Sequence, residues 1–213
     1  MKIKICGLKY PDNIQAIEAL GPQYMGFIFY GRSPRFAGDL DAGASAAISP
    51  DIIKTGVFVN ESAEQIEALI DKYGFSAVQL HGSESPEFAA RFKGKVQVLK
   101  AFGVNKDFDF DQLNDYLGKV DYFLFDTKTE AHGGSGKTFN WDILNKYNLD
   151  VPFFLSGGLS VDNLDQISKI THPQFYGVDL NSKFEIEPGL KDIEKLKQAF
   201  SLIKQNNTHE VRS

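Results

Sequence analysis

Residues 2–7 read KIKICG. Ile3 and Ile5 alternate with Lys2 and Lys4, the two-residue period of a strand that buries one face, and Gly7 ends the run. At Cys6 the segment carries the single cysteine of a 213-residue chain. A thiol at the downstream end of an opening strand is either a small buried hydrophobe or a poised nucleophile or base, and free cysteine is among the most often buried side chains. What surrounds it has to decide.

Seven further runs share the strand character of the first: YMGFIF (24–29), TGVFVN (55–60), AVQLH (77–81), QVLKAF (97–102), DYFLFDT (121–127), PFFLS (152–156) and FYGVDL (175–180). Between them apolar residues fall at three- and four-residue spacing, as in Ile66, Leu69 and Ile70 or Leu164, Ile167 and Ile170. Asp12 and Asn13, Ser62, Ser85, Asn140 and Asp162 mark expected helix starts. Strands alternating with helices imply parallel pairing. Eight such units close best into a (β/α)₈ barrel, whereas an open doubly wound sheet would leave runs unpaired. The expectation is an α/β protein with one domain, a parallel eight-stranded barrel over residues 1–205, and a frayed polar tail over 206–213.

Composition narrows the partners. A formal net charge of −5 without a long Lys/Arg run argues against nucleic acid or an anionic membrane. There is no 18-residue apolar run, and MKIKICG is too short and polar for a signal peptide. A lone cysteine forms no internal disulfide, which points to a reducing, cytoplasmic setting. A small anionic substrate would then need a local positive site.

A barrel gathers the downstream ends of its strands and the loops that follow at one face. That face would hold Cys6, Arg35 of the loop GRSPRFAG, His81, Asp126, the pair Gly157 and Gly158, and Asp179, Asn181 and Ser182 after the last strand. The two glycines allow close approach of a ligand, and a helix starting near Ser160 and Asp162 would offer N–H groups to a phosphate. A tight turn explains them equally well. Arg35 is either a solvated loop residue or a planar fork for a carboxylate. Asp126 follows the apolar run YFLF, a low-dielectric wall that would keep it protonated and able to donate. Alternatively, it is a structural carboxylate. His81 is a candidate for lining the site. Ala131–Thr138, AHGGSGKT, nearly matches a nucleotide-cradling loop but is displaced from its strand, and reads as a flap over the barrel mouth.

Eight motifs at strand ends and loops carry a resemblance: KICG (4–7), GFIFYGRSPR (26–35), GVFVN (56–60), QLHG (79–82), FDT (125–127), GGSGKTFNW (133–141), SGGL (156–159) and GVDLNS (177–182). In this order they resemble the phosphoribosylanthranilate isomerases of tryptophan biosynthesis. The resemblance implies conversion of N-(5-phosphoribosyl)anthranilate to the 1-deoxyribulose 5-phosphate product by an Amadori rearrangement, with Cys6 as general base and Asp126 as general acid. It also implies that Arg35 grips the anthranilate carboxylate, that loops with Gly157, Gly158 and Ser182 hold the phosphate, and that no cofactor or metal takes part. The chain departs from the family at Lys183, where a glycine is usual, so that loop eight either bends differently or adds an ammonium to the phosphate site. The alternatives are a metal-dependent sugar-phosphate epimerase using His81, Asp126 and Asp179, a nucleotide-binding protein built on residues 131–138, and a non-catalytic phosphate-binding module. Monomer and homodimer are both left open.

Overall fold

The computed structural model describes residues 1–127 and 141–210, the last five as backbone. Eight parallel strands close into a barrel in chain order: β1 (Lys2–Cys6), β2 (Tyr24–Ile28), β3 (Ile53–Phe58), β4 (Ala77–Leu80), β5 (Gln97–Val104), β6 (Tyr122–Thr127), β7 (Phe153–Ser156) and β8 (Phe175–Leu180). Each lies within two residues of its expected position. β8 returns to β1 with Lys4 beside Asp179.

The first four connections carry α1 (Pro11–Glu18), α2 (Ala42–Ala46), α3 (Ala63–Tyr73) and α4 (Pro86–Ala90). Ser62 and Ser85 cap α3 and α4 as expected, accepting from the N–H groups of Gln65 and Phe88. α1 differs: it starts at Pro11, whose ring presets the helical φ, and neither Asp12 nor Asn13 caps it. After β5, β6 and β7 the connections hold 3₁₀ helices, Phe110–Tyr116, Trp141–Lys146 and Leu164–Lys169. In the first of these, short polar side chains bond the nearby backbone: Asp109 accepts from Asp111 N–H, and Asn114 donates to the Asp111 carbonyl. Such local bonds compete with the α-helical ladder. The third begins after Asn163 instead of at Asp162. The expected cap at Asn140 and the flap at 131–138 lie outside the described residues.

Beyond β8 a hairpin of β9 (Glu185–Glu187) and β10 (Leu190–Lys191) precedes α5 (Ile193–Glu210). α5 carries helical backbone past the expected boundary at 205, to Glu210. It packs against the 3₁₀ helix Leu164–Lys169.

Two apolar clusters divide the interior. The larger fills the space between barrel and outer layer, and the smaller, with Tyr24, Ala77, Leu99, Leu124 and Phe154, plugs the barrel lumen. Register places Lys4 beside Tyr24, on the lumen face, and the Lys4 side chain is fully buried. The alternation in β1 therefore separates two buried faces, not a buried face from a solvated one.

Candidate functional site

On the downstream side of the plug the lumen turns polar. Lys4, Cys6, Gln79, Asp126 and Asp179 sit at inward positions of four strands near their C-terminal ends, where register aligns Cys6 with Gly26, and Asp126 with Ser156. The expected juxtaposition of Cys6, His81, Asp126 and Asp179 is thus present. Lys4 Nζ donates to Asp179 Oδ2 at 3.0 Å. A methyl group placed on Gly26 would lie 2.8 Å from Cys6 Sγ and 3.1 Å from Lys4 Nζ, so thiol and ammonium share one wall. Burial pushes the Cys6 thiol up, and the Lys4 charge pulls it partly back. For Asp179 burial likewise raises the carboxyl against the pull of Lys4. Its Oδ1 atom is buried without a hydrogen-bond partner among the described residues.

Across the mouth His81 Nε2 stands 3.6 Å from Asp126 Oδ2, and Gln79 Nε2 lies 2.9 Å from His81 Nδ1. With Gln79 donating, a neutral His81 carries its proton on Nε2, toward the carboxylate. The apolar wall expected around Asp126 is absent. Alternation turns Phe123 and Phe125 outward, where Phe125 meets Tyr147 and Phe153 at ring separations of 5.2 and 5.0 Å. Tyr122 and Leu124 of that run share Asp126's side of the strand but pack into the lumen plug, and the carboxylate is 32% exposed.

Arg35 reaches the same rim but is held. Its Nε donates to both oxygens of Glu185 at 2.9 and 3.0 Å, and Nη2 donates to Oε2 at 2.6 Å. Lys191 Nζ, fully buried, donates to Glu185 Oε1 and to Asn181 Oδ1, both at 2.7 Å. Gly7 is what lets this cluster close over β1, since a Cβ there would sit 2.7 Å from Arg35 Cδ and 2.8 Å from Asn181 Oδ1. The side-on fork of Arg35 is engaged within the protein, leaving Nη1 without a partner among the described residues.

The glycine pair forms a tight turn, one of the two readings left open by the sequence. Gly157 and Gly158 both have positive φ, +86° and +67°. A Cβ on Gly157 would meet Thr127 O at 2.2 Å and Asp126 Oδ1 at 2.5 Å, so its bareness serves packing against the end of β6. Gly158 is exposed. The Ser160 N–H donates to Asn163 Oδ1 at 2.9 Å, so it is not available to an anion in this arrangement. Ser182 and Lys183 are exposed, and the loop turns without a left-handed Lys183: among the described residues Asn60 is the one non-glycine with positive φ.

The described residues contain no group of three or more His, Cys, Asp or Glu side chains able to hold a metal. No helix among them is long and apolar enough to cross a membrane.

A family model for N-(5'-phosphoribosyl)anthranilate (PRA) isomerase matches residues 3–201. The chain belongs to this isomerase family. It is similar to the N-(5'-phosphoribosyl)anthranilate isomerase of Parabacteroides distasonis, 46% identical over 202 residues that cover 92% of this chain and 90% of the relative. In structure it is similar to phosphoribosyl anthranilate isomerase from Thermotoga maritima, with TM-score 0.84, 32% identity, and coverage of 96% of this chain and 99% of the other. A further phosphoribosyl anthranilate isomerase, solved in complex with reduced 1-(o-carboxyphenylamino)-1-deoxyribulose 5-phosphate, matches with TM-score 0.82 at 29% identity, covering 96% and 99% of the two chains.

Sequence reasoning passed over three members of this isomerase's rim. In KIKICG the lysines alternate with isoleucines, which sets Lys4 on the face opposite the apolar one. Glu185 and Lys191 carry no local signal, since their partners are Arg35 and Asn181 and the hairpin that brings them there forms only after β8.

Proposed function

We propose that the chain isomerises N-(5-phosphoribosyl)anthranilate to 1-(2-carboxyphenylamino)-1-deoxyribulose 5-phosphate by acid/base catalysis, with Cys6 and Asp126 as the working pair. The observation that supports this reading most directly is that a sulfur on β1 and a carboxylate on β6 stand at inward positions of one lumen mouth.

Asp126, in its acid form, gives a proton to the furanose ring oxygen. The C1–O bond breaks, and the anthranilate nitrogen's lone pair completes a protonated Schiff base. Cys6 as thiolate then removes the proton on C2, leaving an enolamine that tautomerises to the ketone as C1 gains a proton and the C2 hydroxyl loses one. Burial disfavours the thiolate, so the iminium formed beside it supplies an attractive charge when it is needed. Each proton transfer of this kind contributes about 10²- to 10⁴-fold.

His81 faces Asp126 and orients its carboxylate. Arg35, fixed by Glu185, presents its Nη1 edge to the anthranilate carboxylate. The exposed Gly158 and Ser182, with Gly157, Asp179 and Asn181 behind them, form the phosphate end. The test follows the fluorescence of phosphoribosylanthranilate on adding protein: wild type should extinguish it, Cys6→Ala and Asp126→Asn should not, and both variants should still bind a product analogue. Near-normal turnover in both variants overturns the assignment.

A further inference from the structure

We propose that Lys4 is a positioning residue for Cys6, its buried ammonium setting how readily the sulfur becomes a thiolate, while Asp179 sets how strongly that ammonium acts. The inference rests on Cys6 serving as the base. Geometry carries it: Lys4 is the inward residue immediately before Cys6 on β1, it is fully buried, and its Nζ lies with Sγ against Gly26.

Four charged groups face the sulfur. They are Lys4 from β1, Asp179 from β8, Lys191 from β10 and Arg35 from the loop after β2. Lys191 and Arg35 share one carboxylate, Glu185, which offsets one of their two positive charges. Lys4 is held by Asp179 through one oxygen, and the other oxygen of that carboxylate has no partner among the described residues. The ammonium stays charged in this setting. Burial opposes the charge, but Asp179 and Cys6 together raise Lys4 above its ordinary range. Removing Lys4 therefore leaves Asp179 without its own partner beside the sulfur, and removing the charge of Asp179 leaves Lys4 acting there unopposed.

The single cysteine makes the thiolate directly observable. Its ultraviolet absorbance is followed against pH in the ligand-free protein, with a Cys6→Ser version of each background subtracted. Lys4→Met should move the thiol midpoint upward and Asp179→Asn downward, each by about one pH unit or more, and the double variant should fall between them. The rising limb of kcat/KM against pH should follow the same order in variants that retain turnover. Coincident midpoints, or shifts in the same direction, overturn the proposal. If circular dichroism shows Lys4→Met unfolded, Asp179→Asn decides alone, and a midpoint that does not fall is then sufficient refutation. Turnover in Cys6→Ala would remove the base assignment without altering these titrations, so the two failures are distinguishable.

Discussion

Two buried lysine–carboxylate pairs stand on opposite sides of the same barrel wall. Outside the lumen, Lys100 Nζ and Glu84 Oε2 are 3.1 Å apart, both side chains 2% exposed. Inside it, Lys4 and Asp179 are 3.0 Å apart and equally hidden. The outer pair is saturated: Glu84 also accepts the N–H groups of Asn60 and Gly82, and Lys100 also donates to the carbonyls of Leu80, Gly82 and Ala101. The inner pair leaves Asp179 Oδ1 without a hydrogen bond among the described residues. A pair with every valence used ties loops together, whereas one with a free buried acceptor keeps unspent electrostatic influence for whatever enters the site.

That contrast is breakable. The largest effect is expected inside: Cys6→Ala or Asp126→Asn should lower kcat/KM by at least about 10²- to 10⁴-fold with little change in thermal midpoint, read by substrate fluorescence and calorimetry. Comparable losses of stability would erase the distinction. Lys100→Met should do the reverse. It strands a buried carboxylate, at a cost of about 3–5 kcal/mol in denaturant titration, while the folded fraction keeps its turnover.

Gly26→Ala should sharpen the inner half of the comparison. Its new methyl would lie 2.8 Å from Cys6 Sγ and push it aside, and a misplacement of about 1 Å costs about 10²-fold in kcat. Unchanged kcat would show that the sulfur's place is not fixed by this wall. The smallest effect concerns pH. Burial raises Glu185, but its bonds to Arg35 and Lys191 outweigh it and hold the carboxyl below the usual range. Its contribution to stability is fully present above the unfolded value of about 4.3 and is lost as pH falls through the lower folded value. Glu185→Gln should flatten that part of the acid unfolding curve, and an unaltered curve would count against a stabilising role for the bonds of Glu185 to Arg35 and Lys191.

The barrel was readable because β-rich runs and helical spacing alternate without interruption, and because glycines and prolines punctuate them. The gathering of Cys6, His81, Asp126 and Asp179 followed from strand order alone. Electrostatic detail did not follow. Alternation separates Lys4 from Ile5, but it cannot say that the far side of a barrel strand is lumen; the same rule, applied to YFLF, would have sent Phe123 and Phe125 away from Asp126. The bracing of Arg35 was hidden for another reason. Its partner is 150 positions away, in a hairpin whose three- and two-residue strands are too short to show a period.

Lys4 and Asp179 also belong to the first and last staves of the barrel, 175 positions apart, and meet only where the ring is joined. On a nascent polypeptide the sulfur of β1 emerges seven strands ahead of the aspartate of β8. Competence for chemistry therefore arrives with the final turn of assembly, and truncated products that stop short of β8 would be inert by construction.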